Sequence, residues 1–395
     1  MKKFVAVLGR QPLISVAELE SLFGKMGDVC TLAPELAEFS FEAAKAQGES
    51  LTITSDLLSA KIPNIRRLGG TLKLATEITE PIREFLAKLP ATGKLTLGVS
   101  DFSRGASAYK AQGEALKLKR ILVKAGWSVR VVPNKDAVLS SATSFHNQLW
   151  QQNKLELLKL GNKYYRVVAV QNIDSYVERD RARPARDAKV GMLPPKLAQI
   201  LVNLCGDLPS ETHLLDPFCG TGVVLQEASL MGYLPYGTDL NERMVEYTQR
   251  NLAWLAEKEP SLGSLIAGAV VEQGDATNHR WQSPIGAVAC EVFLGQPMSQ
   301  PPAEIKLKQE KQECRRIILG FLHNLAEQIG PKTPVVLAVP AWLRPNGQYE
   351  RLNLLDEIQN LSYNVKSFKN LGQKDLLYQR AGQVVAREII VLRKK

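Results

Sequence analysis

A chain of 395 residues with 45% hydrophobic and 23% charged side chains is long enough for two or three domains with their own cores, and its composition excludes a disordered or fibrous protein. Fifty Lys and Arg against 40 Asp and Glu leave a formal charge of +10, which makes a polyanion partner plausible. Five cysteines without C-x-x-C spacing and four histidines without an H-x-x-x-H pair argue against a disulfide framework and against any metal site. The opening MKKFVAVLGRQP is too short for a signal peptide and no long apolar stretch follows, so the expectation is a cytoplasmic chain that does not engage a membrane.

In chain order, Phe4–Leu8 reads as a buried strand. Ser15 with Glu18 three residues on has the pattern of a capping box opening a helix that Gly24 stops. Leu51–Ile53 and Asp56–Ala60 suggest a strand and a short helix, and Leu95–Val99 another strand. Gly113–Lys124 is an amphipathic basic helix, followed by a strand at Ser128–Val132. Leu155–Leu160 and Tyr164–Val170 form a hairpin around Gly161-Asn162. The arginine-rich stretch after residue 170 reads as a linker, and Pro194-Pro195 then opens a helix. From His213 onward, seven strands alternate with helices, including Glu242–Leu255 and a long Ala303–Ile329, continuous or broken. That pattern predicts a doubly wound α/β sheet whose last two strands pair as an antiparallel hairpin, preceded by a smaller α+β region.

The segment His213–Asp239, HLLDPFCGTGVVLQEASLMGYLPYGTD, is the most specific. A strand ends in Asp216, Gly220-Thr221-Gly222 makes a turn that lets backbone approach a ligand, and a helix and second strand close on Asp239. An acid about 20 residues beyond such a turn sits where it can bind ribose hydroxyls. The loop lacks both G-x-G-x-x-G and the Lys-Ser/Thr of a phosphate loop. Cationic side chains cluster twice, at Arg104, Lys110, Lys117 and Arg120, and again at Arg181, Arg183 and Arg186 just before this segment. Solvated helix faces would account for the first cluster, but two clusters flanking a cofactor site point to RNA or DNA contact.

The wording DPFCGTG resembles the S-adenosylmethionine loop of amino-group methyltransferases acting on nucleic acids. Together with RPARDAKVGMLPPKLAQILVNL, GDAT, EVFLGQP, LYQRAGQVVAREIIVL and, near the start, VLGRQPLISVAELESLF and LSSATSFHN, it resembles the THUMP-containing tRNA guanosine N2-methyltransferases that modify guanosine 10, and their bacterial relatives. The resemblance covers most of the chain and is weakest over residues 25–90. It implies an N-terminal leader domain at 1–75, a THUMP-like RNA-binding domain at 76–172, a basic linker at 173–190 and a class I methyltransferase domain at 191–395. It implies S-adenosyl-L-methionine as cofactor and tRNA as partner, with the THUMP-like region docking the acceptor end. A monomer is the preferred state, and the need for a small activator protein stays open.

For the site, the resemblance implies that Asp216 orients the glycine turn or the donor's amine, and that Phe218, Gly220, Thr221 and Gly222 line the donor. Asp239 would take the ribose hydroxyls, Asp275 and Ala276 the adenine, and Pro194 the amino-acid end. Related enzymes carry Asp/Asn-Pro-Pro-Tyr after the fourth strand, where this chain has Glu291-Val292-Phe293-Leu294-Gly295. Glu291 would accept a hydrogen bond from the target amine, Phe293 would stack on the base, and Leu294 completes the catalytic set. Both prolines after the acid are replaced. Two other readings therefore stand beside the enzyme acting on tRNA. One is an amino-methyltransferase for DNA or another RNA, and the other is a non-catalytic RNA-binding protein that keeps the fold.

Overall fold

The computed structural model describes residues 2–25, 27–41, 67–91, 93–187, 192–282 and 284–395. The expected elements at Leu51–Ile53 and Asp56–Ala60 lie outside these residues. Two compact units emerge, one comprising Met1–Leu19 with Phe23–Tyr176, the other Glu20–Leu22 with Val177–Lys395.

The first unit is built on one eight-stranded sheet. Its strands are β1 (Lys2–Leu8), β2 (Val29–Ala33), β3 (Leu36–Phe41), β4 (Thr71–Glu77), β5 (Lys94–Asp101), β6 (Ser128–Val131), β7 (Lys154–Leu160) and β8 (Lys163–Val170), in the order β2-β3-β1-β4-β8-β7-β5-β6. The sheet runs continuously through residues 75 and 76, because β4 pairs with β1 on one side and β8 on the other. The hairpin at Gly161 forms as expected, with Leu160 opposite Lys163 and Gly161 at φ +60°. The basic helix starts earlier than its apolar spacing suggests. It spans Ala108–Lys124, and Ser107 caps it by accepting a hydrogen bond from the Lys110 amide. Its buried residues Ala115, Leu118 and Leu122 pack over Leu97, Val129 and Leu157 of the sheet.

The first helix, Pro12–Phe23, corrects the capping-box reading. It begins three residues before Ser15, whose hydroxyl donates to the Gln11 carbonyl. Glu18 is fully buried and accepts the amides of Gly69 and Gly70, each at 2.9 Å. A pattern that looks local therefore serves a contact about fifty residues away. The stretch expected to be a linker also holds a helix, Ile173–Arg181, with Asp174 in its first turn and Arg179 and Arg181 in its last, as the helix dipole favours.

The second unit carries strands β9 (His213–Asp216), β10 (Leu234–Asp239), β11 (Val270–Gln273), β12 (Ala287–Glu291), β13 (Pro334–Leu343), β14 (Tyr349–Arg351), β15 (Tyr363–Val365), β16 (Leu377–Tyr378) and β17 (Val385–Lys394). The main path is β11-β10-β9-β12-β13-β17-β15, with β14 on β13 and β16 on β17. The strands from β11 to β13 are parallel, and β17 runs antiparallel to both its neighbours. This is the doubly wound sheet with an antiparallel end that the alternation predicts. Parallel strands covered on both faces read as apolar runs, as in VVLAVPAW of β13. Of the two readings of the long helix the continuous one holds: Glu304–Ala326 is unbroken and buries Ile318, Phe321 and Leu322 against the sheet. No described helix is long and apolar enough to cross a membrane.

Candidate active site

Three adjacent parallel strands end in acids. Asp216 closes β9, Asp239 closes β10 and Glu291 closes β12. The sheet order changes direction between β9 and β12, and ligands of open α/β sheets bind beyond the carboxyl ends of the strands at such a switch.

The loop from β9 to the helix Val223–Leu230 turns through two left-handed glycines, Gly220 at φ +53° and Gly222 at φ +78°. A Cβ at Gly222 would lie 2.9 Å from Thr248 Cγ2, so a side chain there meets both strain and a wall. The loop is held by its backbone. The Cys219 amide donates to the Thr238 carbonyl, and the Gly220 amide donates to Asp239 Oδ2 at 2.9 Å. Thr248 Oγ1 donates to the Gly220 carbonyl and Asn251 Nδ2 to the Thr221 carbonyl. Thr248 and Asn251 were missed by sequence reasoning. The signal was available: both are polar positions on the buried face of the amphipathic helix Glu242–Lys258. The Gly274 amide donates to the Asp239 carbonyl, which ties the loop carrying Asp275 to the same corner.

Asp216 is buried, and its Oδ1 accepts the Phe218 amide at 3.1 Å. Burial pushes this carboxyl well above its ordinary range; the Phe218 amide opposes the rise, while Asp239 and Glu291 add to it. Burial also raises Asp239, opposed by the amides of Asn241 and Gly220. A carboxyl raised by folding favours the folded state when protonated. That stability is present below the unfolded value near 3.8 and is lost as pH rises through the folded value. Asp216→Asn is therefore expected to raise the melting temperature by a few degrees near neutral pH, with the gain vanishing as pH falls towards about 4. Melts at several pH values check this, and a gain that does not depend on pH would count against it.

Glu291 Oε1 accepts Arg387 Nε at 2.7 Å, and no other hydrogen bond reaches its carboxylate among the described residues. The backbone beyond it is anchored on the long helix. Gly295 lies at φ +85° with Glu310 against its α-carbon, and the Gln296 amide donates to Glu310 Oε2 at 3.0 Å. Phe293 is half-buried against the core, Leu294 is half-buried beside it, and Phe218 meets Phe321 edge-on at 5.3 Å. Asp275 Oδ1 accepts both the amide and the hydroxyl of Thr277, and the buried Ala276 gives its carbonyl to Asn324. Pro194 is buried at the start of the helix Pro195–Leu204.

The cationic candidates divide. Arg104, Lys110, Lys117 and Arg120 are exposed in the first unit, as are Arg181 and Arg186 in the second. Arg183 corrects the sequence reading: it is 2% exposed, which withdraws it from any phosphate at the surface. Its three guanidinium nitrogens have no hydrogen-bond partner among the described residues, and burial lowers its basicity. The neighbouring Arg179 is taken by buried Glu227 at 2.6 Å. No cluster of metal-binding side chains occurs among the described residues.

Residues 183–314 match the family model described as RMKL-like, methyltransferase domain. About a third of the chain is thus similar to a methyltransferase domain. Around it, the chain is similar to two relatives named tRNA (guanine(10)-N2)-dimethyltransferase. The one from Methanothermobacter thermautotrophicus is 30% identical over 153 residues, 39% of this chain and 40% of the relative. The one from Pyrococcus abyssi is 42% identical over 85 residues, 22% of each. The matches thus span well under half the length of these relatives. Among solved structures, TrmN from Thermus thermophilus covers the whole of both chains with a TM-score of 0.52 at 16% identity. A possible methylase from Clostridium difficile covers 100% of this chain and 97% of its own, with a TM-score of 0.50 at 10% identity. At such identities the likeness establishes a shared fold, and it extends over the first unit as well as the second.

Proposed function

We propose that this chain transfers a methyl group from S-adenosylmethionine to the exocyclic N2 amine of a guanosine in tRNA. The observation that carries the reading is the position of Glu291, one strand from the Asp216–Gly222 loop at the carboxyl edge of a methyltransferase sheet. The names of the relatives supply the substrate class.

The residues fit the donor. Asp216 is a buried carboxylate with one amide on Oδ1 and no partner for Oδ2 among the described residues, so an ammonium group would complete it. Gly220 and Gly222 keep the loop clear of side chains, and Thr221 and Phe218 flank them. Each Asp239 oxygen accepts one backbone amide and retains lone pairs for ribose hydroxyls. Asp275 Oδ2 and the backbone at Ala276 would receive the adenine, and Pro194 would close on the amino-acid end. When bound, the donor supplies an electrophilic methyl on a sulfonium. Glu291 accepts a hydrogen bond from the target amine and aims its lone pair, Leu294 lies beside that amine, and Phe293 stacks on the base.

The first unit serves as the RNA-docking module in this reading. Exposed Arg104, Lys110, Lys117 and Arg120 contact phosphates, which set register without reading sequence. Arg181 and Arg186, exposed in the second unit, contact phosphates as well. The enzyme works in the cytoplasm on tRNA.

The test is transfer of labelled methyl groups from S-adenosylmethionine to an unmodified tRNA transcript pool, followed by nucleoside mass analysis. N2-methylguanosine is the expected product. Transfer to duplex DNA alone would replace the substrate, and donor and tRNA binding without transfer would leave a binding protein.

A further inference from the structure

Strand β17 places one buried cation where an apolar residue would pack. Val385–Lys394 is lined by Ala386, Ile389, Ile390, Val391 and Leu392, all buried, yet it also buries Arg387 at 7% exposure. The strand order β12-β13-β17 puts β13 between Arg387 and β12. Arg387 sits opposite Pro340, two residues along β13 from Ala338, the partner of Glu291. Its long side chain spans that intervening strand to donate from Nε to Glu291 Oε1 at 2.7 Å. The other side of the guanidinium is secured too, with Nη1 donating to Gln383 Oε1 at 3.1 Å and to the Val385 carbonyl at 3.4 Å.

We infer that Arg387 is a positioning residue for the proposed methyl transfer: it clamps Glu291 through Oε1 and thereby leaves Oε2 as the acceptor for the target amine. The inference rests on the reading of Glu291 given under Proposed function. Stability alone is a weak reason for the pair, because a buried ion pair rarely outperforms an apolar packing of the same volume. Geometry supplies a better one. A glutamate has three side-chain torsions, and this one precedes a loop without the usual prolines, so the rigidity those rings would give has to come from elsewhere. A planar guanidinium fixed on both sides provides it. The charge also matters locally, since Asp216 and Asp239 already end β9 and β10, the next two strands of the sheet on that side.

The experiment compares wild type with Arg387→Gln, Arg387→Lys, Glu291→Gln and the Arg387→Gln/Glu291→Gln double variant. It measures kcat and KM on a tRNA transcript, donor affinity by calorimetry, and melting temperature. Arg387→Gln is expected to lower kcat about tenfold to a hundredfold, the scale of a small misplacement of a reacting group. KM for tRNA and donor affinity should stay within about twofold, and Arg387→Lys should recover part of kcat. In the Glu291→Gln background, Arg387→Gln should cost less than about threefold more, because both changes remove the same acceptor. Retained kcat in Arg387→Gln overturns the inference. So do losses that multiply in the double variant, or a loss confined to donor affinity or melting, which marks a purely structural residue. Full activity in Glu291→Gln would instead overturn the catalytic reading itself, so the two failures are distinct.

Discussion

A Glu291→Gln protein is expected to methylate tRNA about a hundredfold to a thousandfold more slowly than wild type, with donor affinity unchanged. The exocyclic amine of guanine is a weak nucleophile because its lone pair is shared with the ring. An anionic acceptor on the N2–H draws that lone pair out of conjugation, and it stabilises the positive charge that grows on nitrogen as the methyl moves. Glutamine keeps the volume and loses the charge. It also cannot serve both neighbours: if its oxygen faces Arg387 Nε, its amide nitrogen faces the target amine, donor against donor. Glu291 takes no part in the hydrogen bonds that form the glycine loop, so donor binding should survive. Phe293→Ala should act differently and raise KM, because stacking holds the base before the chemistry. Steady-state kinetics with calorimetry separate these outcomes. A Glu291→Gln rate within threefold of wild type would remove this carboxylate from the reaction and leave the non-catalytic reading standing.

The second unit's sheet was legible because its strands are buried on both faces and its loop chemistry is local. Asp216, Gly220, Gly222 and Asp239 all lie within one βαβ unit, and each is fixed by a turn or a strand end that the sequence spells out. Glu291 was legible from order along the chain. Arg387 was not, since its meaning lies in a contact across 96 positions that no periodicity carries. Thr248 and Asn251 show the intermediate case, polar residues interrupting an apolar helix face, where a buried partner could be expected but not named. Glu18 misled for a related reason. Its spacing from Ser15 mimics a local cap, while its carboxylate serves the distant amides of Gly69 and Gly70. Arg183 misled because an arginine-rich run reads as solvated, and tertiary packing drew one member inside. The first unit's single sheet was likewise hidden, because its strands pair out of chain order.

The core of that sheet gives the second large effect. Lys73 on β4 and Glu156 on β7 are 1% and 0% exposed and meet at 2.5 Å. Lys73 Nζ also donates to the Leu139 carbonyl at 2.8 Å. Ser100 Oγ donates to Glu156 Oε1 at 2.7 Å and accepts the Leu139 amide at 3.0 Å. The network thus holds Leu139, the first residue of LSSATSFHN, from both its backbone groups. Glu156 Oε2 has no hydrogen-bond partner among the described residues, so the pair is under-satisfied there even when intact. Removing one partner strands the other charge in an apolar interior. Lys73→Met and Glu156→Leu are each expected to cost about 3–5 kcal/mol, while the double variant should lie near wild type or above it. Melting should follow at roughly 2–4 °C per kcal/mol, and amide exchange in β4 and β7 would place the loss in this unit. If the pair exists to fix the Leu139 segment for RNA, the double variant should be stable yet bind tRNA more weakly than wild type. Additive losses, with the double variant least stable of all, would show that the two side chains contribute independently and not as a pair.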